Sequence, residues 1–366
     1  MLPNFSALDH QHMALALQYA ERGLNTTRPN PRVGCVLAHG DQVVGAGFHL
    51  RAGEPHAEVH ALRAAGSRAL GATAYVTLEP CAHTGRTGPC ADALIHARVA
   101  RVVVAVLDPY PEVAGRGLQR LRDAGIVVEL GLMAEPARAL NAGFFGRIER
   151  VRPWLRIKLA ASLDGRTGLA NGSSTWITGE PARADVQAWR ARSCAILTGV
   201  GTVLTDNPRL DLRAAAFADA PAPLKVVLDR KLRTPPNAQL LRTRGQTLLA
   251  HSTEPSAAGA NLAAQGALLW QLPEAPDAQL PALLQELARR GINEVQVEAG
   301  AKLSGALLSA GLVDELLLYQ APCLLGPHAL PLFELAQLQS MSERWRFACV
   351  ERRLLGDDLR TLWLPA

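Results

Sequence analysis

His56, Glu58, Cys81 and Cys90 have the types and the spacing of a metal-assisted hydrolytic site. One imidazole and two thiolates fill three corners of a zinc tetrahedron and leave the fourth for water. Glu58, two residues after His56, can reach over such a metal without binding it. There it would take a proton from the zinc-bound water and give it to a departing amine. His60, one turn beyond His56, and His83, between the cysteines, are alternative fourth ligands that would close the site and make it structural. A structural zinc has no need of an acid beside it, so Glu58 favours the catalytic reading. His83 is also placed to touch a substrate.

The flanking pattern shows how these residues would be positioned. Residues 9–22 read as an amphipathic helix with Asp9 as N-cap and Met13, Leu17 and Ala20 on one face. Two apolar runs flank His39-Gly40-Asp41, a hairpin signal. A helix is expected from about His56, a strand over 74–78, a helix from about Ala91, a strand over 101–107, a helix over 117–124 and a strand over 126–130. Strands alternating with helices predict an α/β sheet covered on both faces. Cys81 and Cys90 then follow the C-terminal end of a strand, the usual ligand edge of such sheets. Cys90 would stand just before a helix, whose N-terminus favours a thiolate.

Gly143, Gly146 and Pro153 interrupt the alternation, which places a domain boundary near residue 147. Two domains are expected, 1–147 and 148–366. The second repeats the strand and helix alternation. Strand candidates lie in "WLRIKLAASLDG", "CAILTGVGTVL", "LKVVLD", "TLLAHS", "NEVQVEAG" and "DELLLYQAP". Helices are expected over "EPARADVQAWRARS", with Pro181 in its first turn, and over "LPALLQELARRG" and "AKLSGALLSAG", which stop before Gly291 and Gly311. The stretches 214–223 and 253–281, rich in Ala and Pro, read as loops or surface elements.

Composition narrows the function class. The chain has 366 residues, of which 48% are hydrophobic, enough for one or two buried cores. The net charge is +5, spread without any run of basic residues, which suits a phosphorylated small molecule better than a nucleic-acid groove. The six cysteines are too sparse for a disulfide framework. The first residues lack the basic and apolar regions of a signal peptide, and no apolar run approaches the ~20 residues of a membrane span. A soluble cytoplasmic protein with free thiols is expected, with Cys35, Cys194, Cys323 and Cys349 as small buried residues.

H-x-E followed by P-C and a second Cys is the zinc-deaminase arrangement, with the glutamate as proton shuttle. Nucleobase deaminases usually carry P-C-x-x-C, whereas eight residues separate Cys81 from Cys90 here. The longer spacer, "AHTGRTGP", resembles the form found in the bifunctional deaminase/reductases of riboflavin biosynthesis. So do "RPNPRVGCVL" (28–37), "HAEVHAL" (56–62) and "EPCAHTGRTGPC" (79–90). In the second half "KLAASLDGRTG" (158–168), "STWITG" (174–179), "AILTGVGTVLTDNPRLDLR" (195–213), "VEAGAKLSGALL" (297–308) and "LVDELLLYQAP" (312–322) resemble the same family.

That resemblance covers nearly the whole chain. It implies a cytidine-deaminase-like three-layer α/β/α domain followed by a dihydrofolate-reductase-like α/β domain, in a homodimer or larger assembly. It implies zinc-hydroxide deamination of 2,5-diamino-6-(5-phosphoribosylamino)pyrimidin-4-one, followed by NADPH reduction of the ribosyl side chain to give 5-amino-6-(5-phosphoribitylamino)uracil. Asn30 matches the residue that holds the pyrimidine, and Arg86 is a cation suited to the substrate phosphate. Tyr110 stands where the family usually has asparagine. Ala160, Trp176, Thr202 and Asp206 match NADPH contacts, and Gly300, Ala301, Lys302, Leu303, Ser304, Gly305 and Ala306 match its phosphate loop. Ser174, Arg190, Leu210, Arg213 and Glu298 match substrate contacts. Lys158, Asp164 and Gly165 would order the site.

Without the resemblance no reductase is legible, because no G-x-G-x-x-G follows a strand. Gly199 and Gly201 would allow close approach of a cofactor, and the turn at Gly300 into a helix would hold a phosphate. Competing readings are a nucleoside or tRNA deaminase, a single-activity deaminase with a non-catalytic C-terminal domain, and a structural zinc module joined to a nucleotide-binding domain.

Overall fold

The computed structural model describes residues 5–82, 88–111 and 113–366. The chain divides into two compact units, residues 1–150 and 151–366.

The first unit runs α1 (Ala7–Glu21), β1 (Gly34–His39), β2 (Gln42–Phe48), α2 (Ala57–Ala65), β3 (Thr73–Val76), α3 (Cys90–His96), β4 (Arg101–Val104), α4 (Arg116–Asp123), β5 (Val127–Leu130), α5 (Ala134–Leu140) and α6 (Ala142–Glu149). Its five strands are ordered β2-β1-β3-β4-β5. β1 is antiparallel to both β2 and β3, and β3, β4 and β5 are parallel. Strand side chains alternate between two cores. Cys35, Leu37, Ala74, Val76, Val102 and Val104 pack with α2, α3 and α4. Val36, Ala38, Tyr75, Val103 and Ala105 pack with α1, α5 and α6. The sheet is therefore the middle of three layers, as period-two patterning requires when both faces are covered.

Two local expectations are corrected. Ser6, not Asp9, caps α1. Its hydroxyl accepts from the Asp9 amide, while the Asp9 carboxylate accepts from the Ser6 amide. This is a reciprocal capping box, in which an acid at the third helical position looks like a cap to a one-residue scan. Gly143 and Gly146, read as breaks, lie inside α6, where Phe144 and Phe145 supply buried apolar surface.

Glycines in β2 fix the height of α2 over the sheet. A Cβ on Gly47 would lie 2.5 Å from His60 Cβ and 2.7 Å from the Ala61 nitrogen. One on Gly45 would lie 2.3 Å from the Ala61 carbonyl oxygen. Gly47→Ala should lift α2, whose N-cap is His56, and cost about 1–3 kcal/mol as overpacking. Urea unfolding of the variant beside the parent checks this.

The second unit contains β6 (Trp154–Ala161), β7 (Arg166–Gly168), α7 (Glu180–Arg192), β8 (Ala195–Gly199), α8 (Val200–Asp206), β9 (Leu224–Leu228), α9 (Gln239–Arg242), β10 (Thr247–His251), α10 (Ala257–Ala264), β11 (Ala267–Gln271), α11 (Gln279–Arg289), β12 (Glu294–Val297), α12 (Ala301–Ser309), β13 (Glu315–Gln320), β14 (Leu330–Pro331), β15 (Phe347–Leu355) and β16 (Asp358–Pro365). A nine-stranded sheet has the order β11-β10-β9-β8-β12-β6-β13-β16-β15. It is parallel from β11 to β13, and β16 and β15 close that end antiparallel.

Residues 253–281 are not simply loop, since they hold α10 and the strand β11. The strand candidate in "CAILTGVGTVL" is β8, and α8 begins directly after it at Val200. The hairpin of β15 and β16 has no counterpart among the strand candidates read from the sequence. β15 is mostly exposed, so it lacks the apolar alternation that reveals half-buried strands. Cys35 and Cys194 are buried as expected, but Cys323 and Cys349 are partly exposed. Among the described residues no helix is long and apolar enough to cross a membrane.

Candidate active sites

α2 and α3 meet β3 at one end of the first sheet and bring three ligand-type side chains together. His56 is the N-cap residue of α2, Cys81 lies in the segment after β3, and Cys90 opens α3. One donor atom from each lies within 4.8 Å of the others. His56 Nδ1 is 3.2 Å from Cys90 Sγ and 3.7 Å from Cys81 Sγ. The Cys90 amide donates to Cys81 Sγ over 3.3 Å, so the first turn of α3 faces a thiolate. Hydrogen bonds from Cys90, and then from His56, outweigh burial and hold the Cys81 thiol well below its ordinary value. His56 is raised, chiefly by Cys81.

Glu58 sits one residue into α2 and is 2% exposed, yet its Oε2 has no hydrogen-bond partner. A buried carboxylate oxygen without a donor is costly. A cation or a water in the triad would relieve that cost, so the donor set and the orphaned oxygen fit a zinc ion. Burial, and then the charge on Cys81, push Glu58 up to about 7. A dication nearby would draw it lower. His60 stays outside the triad, and its Nε2 is buried without a partner. His83 and Arg86 lie outside the described residues.

The triad opens into a cavity of about 210 Å³ lined by Asn30, His49, Glu58, Glu79 and Asp108 among others. His49 Nδ1 donates to the Pro55 carbonyl, so Nε2 accepts from the Asn30 amide group at 3.0 Å. Burial lowers the pKa of His49, consistent with a neutral ring in that role. The Asn30 carboxamide is thus oriented at the mouth of the metal site. His49 and Asp108 were not singled out from the sequence. A lone histidine beyond β2 and an aspartate beyond β4 carry no local signal, and only the sheet order brings them to one edge. Tyr110 is exposed, and its amide donates to Asp108 Oδ1.

In the second unit the adjacent parallel strands β8, β12 and β6 end at one edge. Gly199 precedes α8 and Gly300 precedes α12, so two helix N-termini stand side by side there. Neither glycine would meet a clash on gaining a Cβ. Gly305 would, because its Cβ would lie 2.0 Å from the Glu334 carbonyl oxygen. Ala160 lies on β6, Thr202 and Asp206 on α8, and Ala301 through Ala306 form the first turns of α12. Leu303, Ser304 and Gly305 are buried, which leaves Gly300, Lys302 and Ala306 as the exposed part of that loop. Ser174 and Trp176 lie in the segment before α7, and Trp176 is 70% exposed with Arg183 stacked on its ring.

Arg190 and Glu298 form a bidentate pair, with Nε and Nη2 each 2.7 Å from a carboxylate oxygen, and Arg190 Nη1 donates to the Asp211 carbonyl. The Arg190 guanidinium is therefore buried and engaged inside the protein instead of facing out for a phosphate. Arg213, about half exposed, is the outward cation of the two. Leu210 is buried at a positive φ of 50°. Lys158 lies near Glu298 and over the Tyr319 ring, and burial lowers its pKa against the pull of Glu298. Asp164 accepts from the Ser162 hydroxyl and from the Leu325 and Gly326 amides, and Gly165 takes the left-handed turn beside it.

Residues 153–359 match the family described as RibD C-terminal domain. The Escherichia coli riboflavin biosynthesis protein RibD is 48% identical over 362 residues, covering 96% of this chain and 98% of its own. The chain belongs to the RibD family. Residues 6–106 also match the cytidine and deoxycytidylate deaminase zinc-binding region. A solved structure of Acinetobacter baumannii RibD superposes with a TM-score of 0.91 at 44% identity, covering 98% of this chain and 99% of that one. The Thermotoga maritima diaminohydroxyphosphoribosylaminopyrimidine deaminase/5-amino-6-(5-phosphoribosylamino)uracil reductase gives 0.87 at 29% identity, covering 98% and 99%. The two-domain RibD architecture, a deaminase-like unit followed by a reductase-like unit, is thus the architecture of this chain.

Proposed function

We propose that the chain carries both RibD reactions. The first unit hydrolyses the 2-amino group of 2,5-diamino-6-(5-phosphoribosylamino)pyrimidin-4-one, and the second reduces the ribosyl side chain of the product with NADPH. For the first reaction the observation that carries the reading is the His56, Cys81 and Cys90 triad beside the unpartnered Glu58 oxygen. A zinc ion held by that triad supplies water activated for attack near neutral pH. Glu58 would pass the first proton of that water to the ring nitrogen, then take the second proton from the hydroxyl added to the ring carbon and give it to the amine, which leaves as ammonia as the carbonyl forms, so Glu58 ends the cycle ionised as it began. Asn30, held by His49, binds the edge of the pyrimidine.

In the second unit the N-termini of α8 and α12 receive the cofactor phosphates. NADPH supplies the hydride. Lys158 and Glu298 face the ribosyl group from β6 and the end of β12, and the chain's main contribution is positioning.

The test is ammonia release from the diaminopyrimidine phosphate by metal-stripped protein before and after zinc is restored. Release that depends on zinc supports the reading. Equal release without metal overturns it.

A further inference from the structure

Glu79 is the first residue of the "EPC" run, and it is not one of the three ligand-type residues of the triad. Its carboxylate, 4% exposed, accepts from backbone amides 29 to 39 residues further along the chain. Oε1 accepts from Gly117 at 2.9 Å and Leu118 at 3.4 Å. Oε2 accepts from Gly115 at 2.9 Å and Asp108 at 3.3 Å. Glu79 thus caps the N-terminus of α4, which has no cap from its own N-cap residue, Gly115. Contact is equally close from the other side. A Cβ on Gly117 would lie 1.9 Å from the Pro80 carbonyl oxygen, so the first turn of α4 lies directly against the residue before Cys81.

We infer that Glu79 is a positioning residue for the deaminase site. By clamping the start of α4 it sets where Cys81 stands relative to His56 and Cys90, and it holds the backbone of Asp108, which also lines the cavity. The inference rests on the zinc reading of the triad. A neutral amide in place of the carboxylate keeps one acceptor oxygen but turns an N–H group toward the Gly115 and Asp108 amides or the Gly117 and Leu118 pair. Glu79→Gln therefore opens one half of the clamp.

The experiment is cobalt(II) titration of the metal-free full chain, reading affinity and the thiolate-to-cobalt absorption bands. Parent protein, Glu79→Gln, Glu79→Asp and Gly117→Ala are compared. Glu79→Gln should bind cobalt about 10–100-fold more weakly, the loss typical when support behind a ligand is removed. Its absorption bands should shift, with Glu79→Asp in between. Reduction of the already deaminated intermediate by the second unit should be unchanged. Gly117→Ala keeps the carboxylate but displaces Pro80, and should show the same loss, which covers the case in which Glu79→Gln does not fold. A parent chain that binds no cobalt would defeat the zinc reading itself. Parent-like affinity and bands in Glu79→Gln or Gly117→Ala, even with a lower melting temperature, would leave Glu79 a merely structural cap and overturn this inference alone.

Discussion

Replacing Glu58 by glutamine should lower deamination about 10²–10⁴-fold, the range contributed by a positioned acid–base group. Zinc content should stay at the parent level, because Glu58 is not one of the three ligand residues. Glutamine keeps the size of the side chain in a site that is 2% exposed, so packing should change little. What it removes is the ability to receive a proton at the buried, unpartnered Oε2. The outcome is read by ammonia release together with metal analysis of the same preparation. Activity within about tenfold of the parent, with zinc bound, would remove Glu58 from the proton path. Loss of zinc along with activity would instead mean that Glu58 holds the metal site together.

The second large effect belongs to the Arg190 and Glu298 pair. Arg190→Leu should destabilise the second unit by about 3–5 kcal/mol, because it strands a buried carboxylate. The double variant Arg190→Leu with Glu298→Leu should recover a large part of that stability while reductase activity stays lost, since an apolar pair of similar volume tolerates burial. Burial alone would raise Glu298, but the charge and hydrogen bonds of Arg190 hold it at about 2, against an ordinary value of 4.5. A carboxylate depressed in the folded state adds stability above its unfolded pKa and loses it as pH falls through the folded one. In Arg190→Leu burial is left to raise Glu298, so the difference between parent and variant should begin to shrink above pH 4.5, where the stranded carboxylate takes up a proton, and go on shrinking toward pH 2. Urea unfolding across that range checks the sign. A difference that grows on acidification would contradict it.

The metal site was legible because its information is local. His56 and Glu58 are two residues apart, and Cys81 and Cys90 bracket one loop, so residue type and spacing were enough. Other parts were illegible for physical reasons. The role of Glu79 depends on amides far along the chain, brought close only by the parallel pairing of β3 with β4. His49 pairs with Asn30, and neither side chain announces the other in sequence. Arg190 and Glu298 each match a substrate contact, and nothing in their separation of 108 residues shows that the residue just after β12 neutralises the arginine on α7. The alternation of strands and helices was readable in both halves. It failed where apolar patterning is weak, in the exposed β15 and in the Ala-rich α10 and β11 region.

The most direct test of the whole account is NADPH oxidation by zinc-loaded Glu58→Gln and by the parent, each given the diaminopyrimidine phosphate and then the already deaminated intermediate. The parent should oxidise NADPH with both, and Glu58→Gln should do so at the parent rate only with the intermediate. Oxidation of NADPH by Glu58→Gln with the diaminopyrimidine at the parent rate would contradict an obligatory Glu58-dependent first step. Failure of both proteins to oxidise NADPH with the intermediate would contradict the reductase assignment of the second unit.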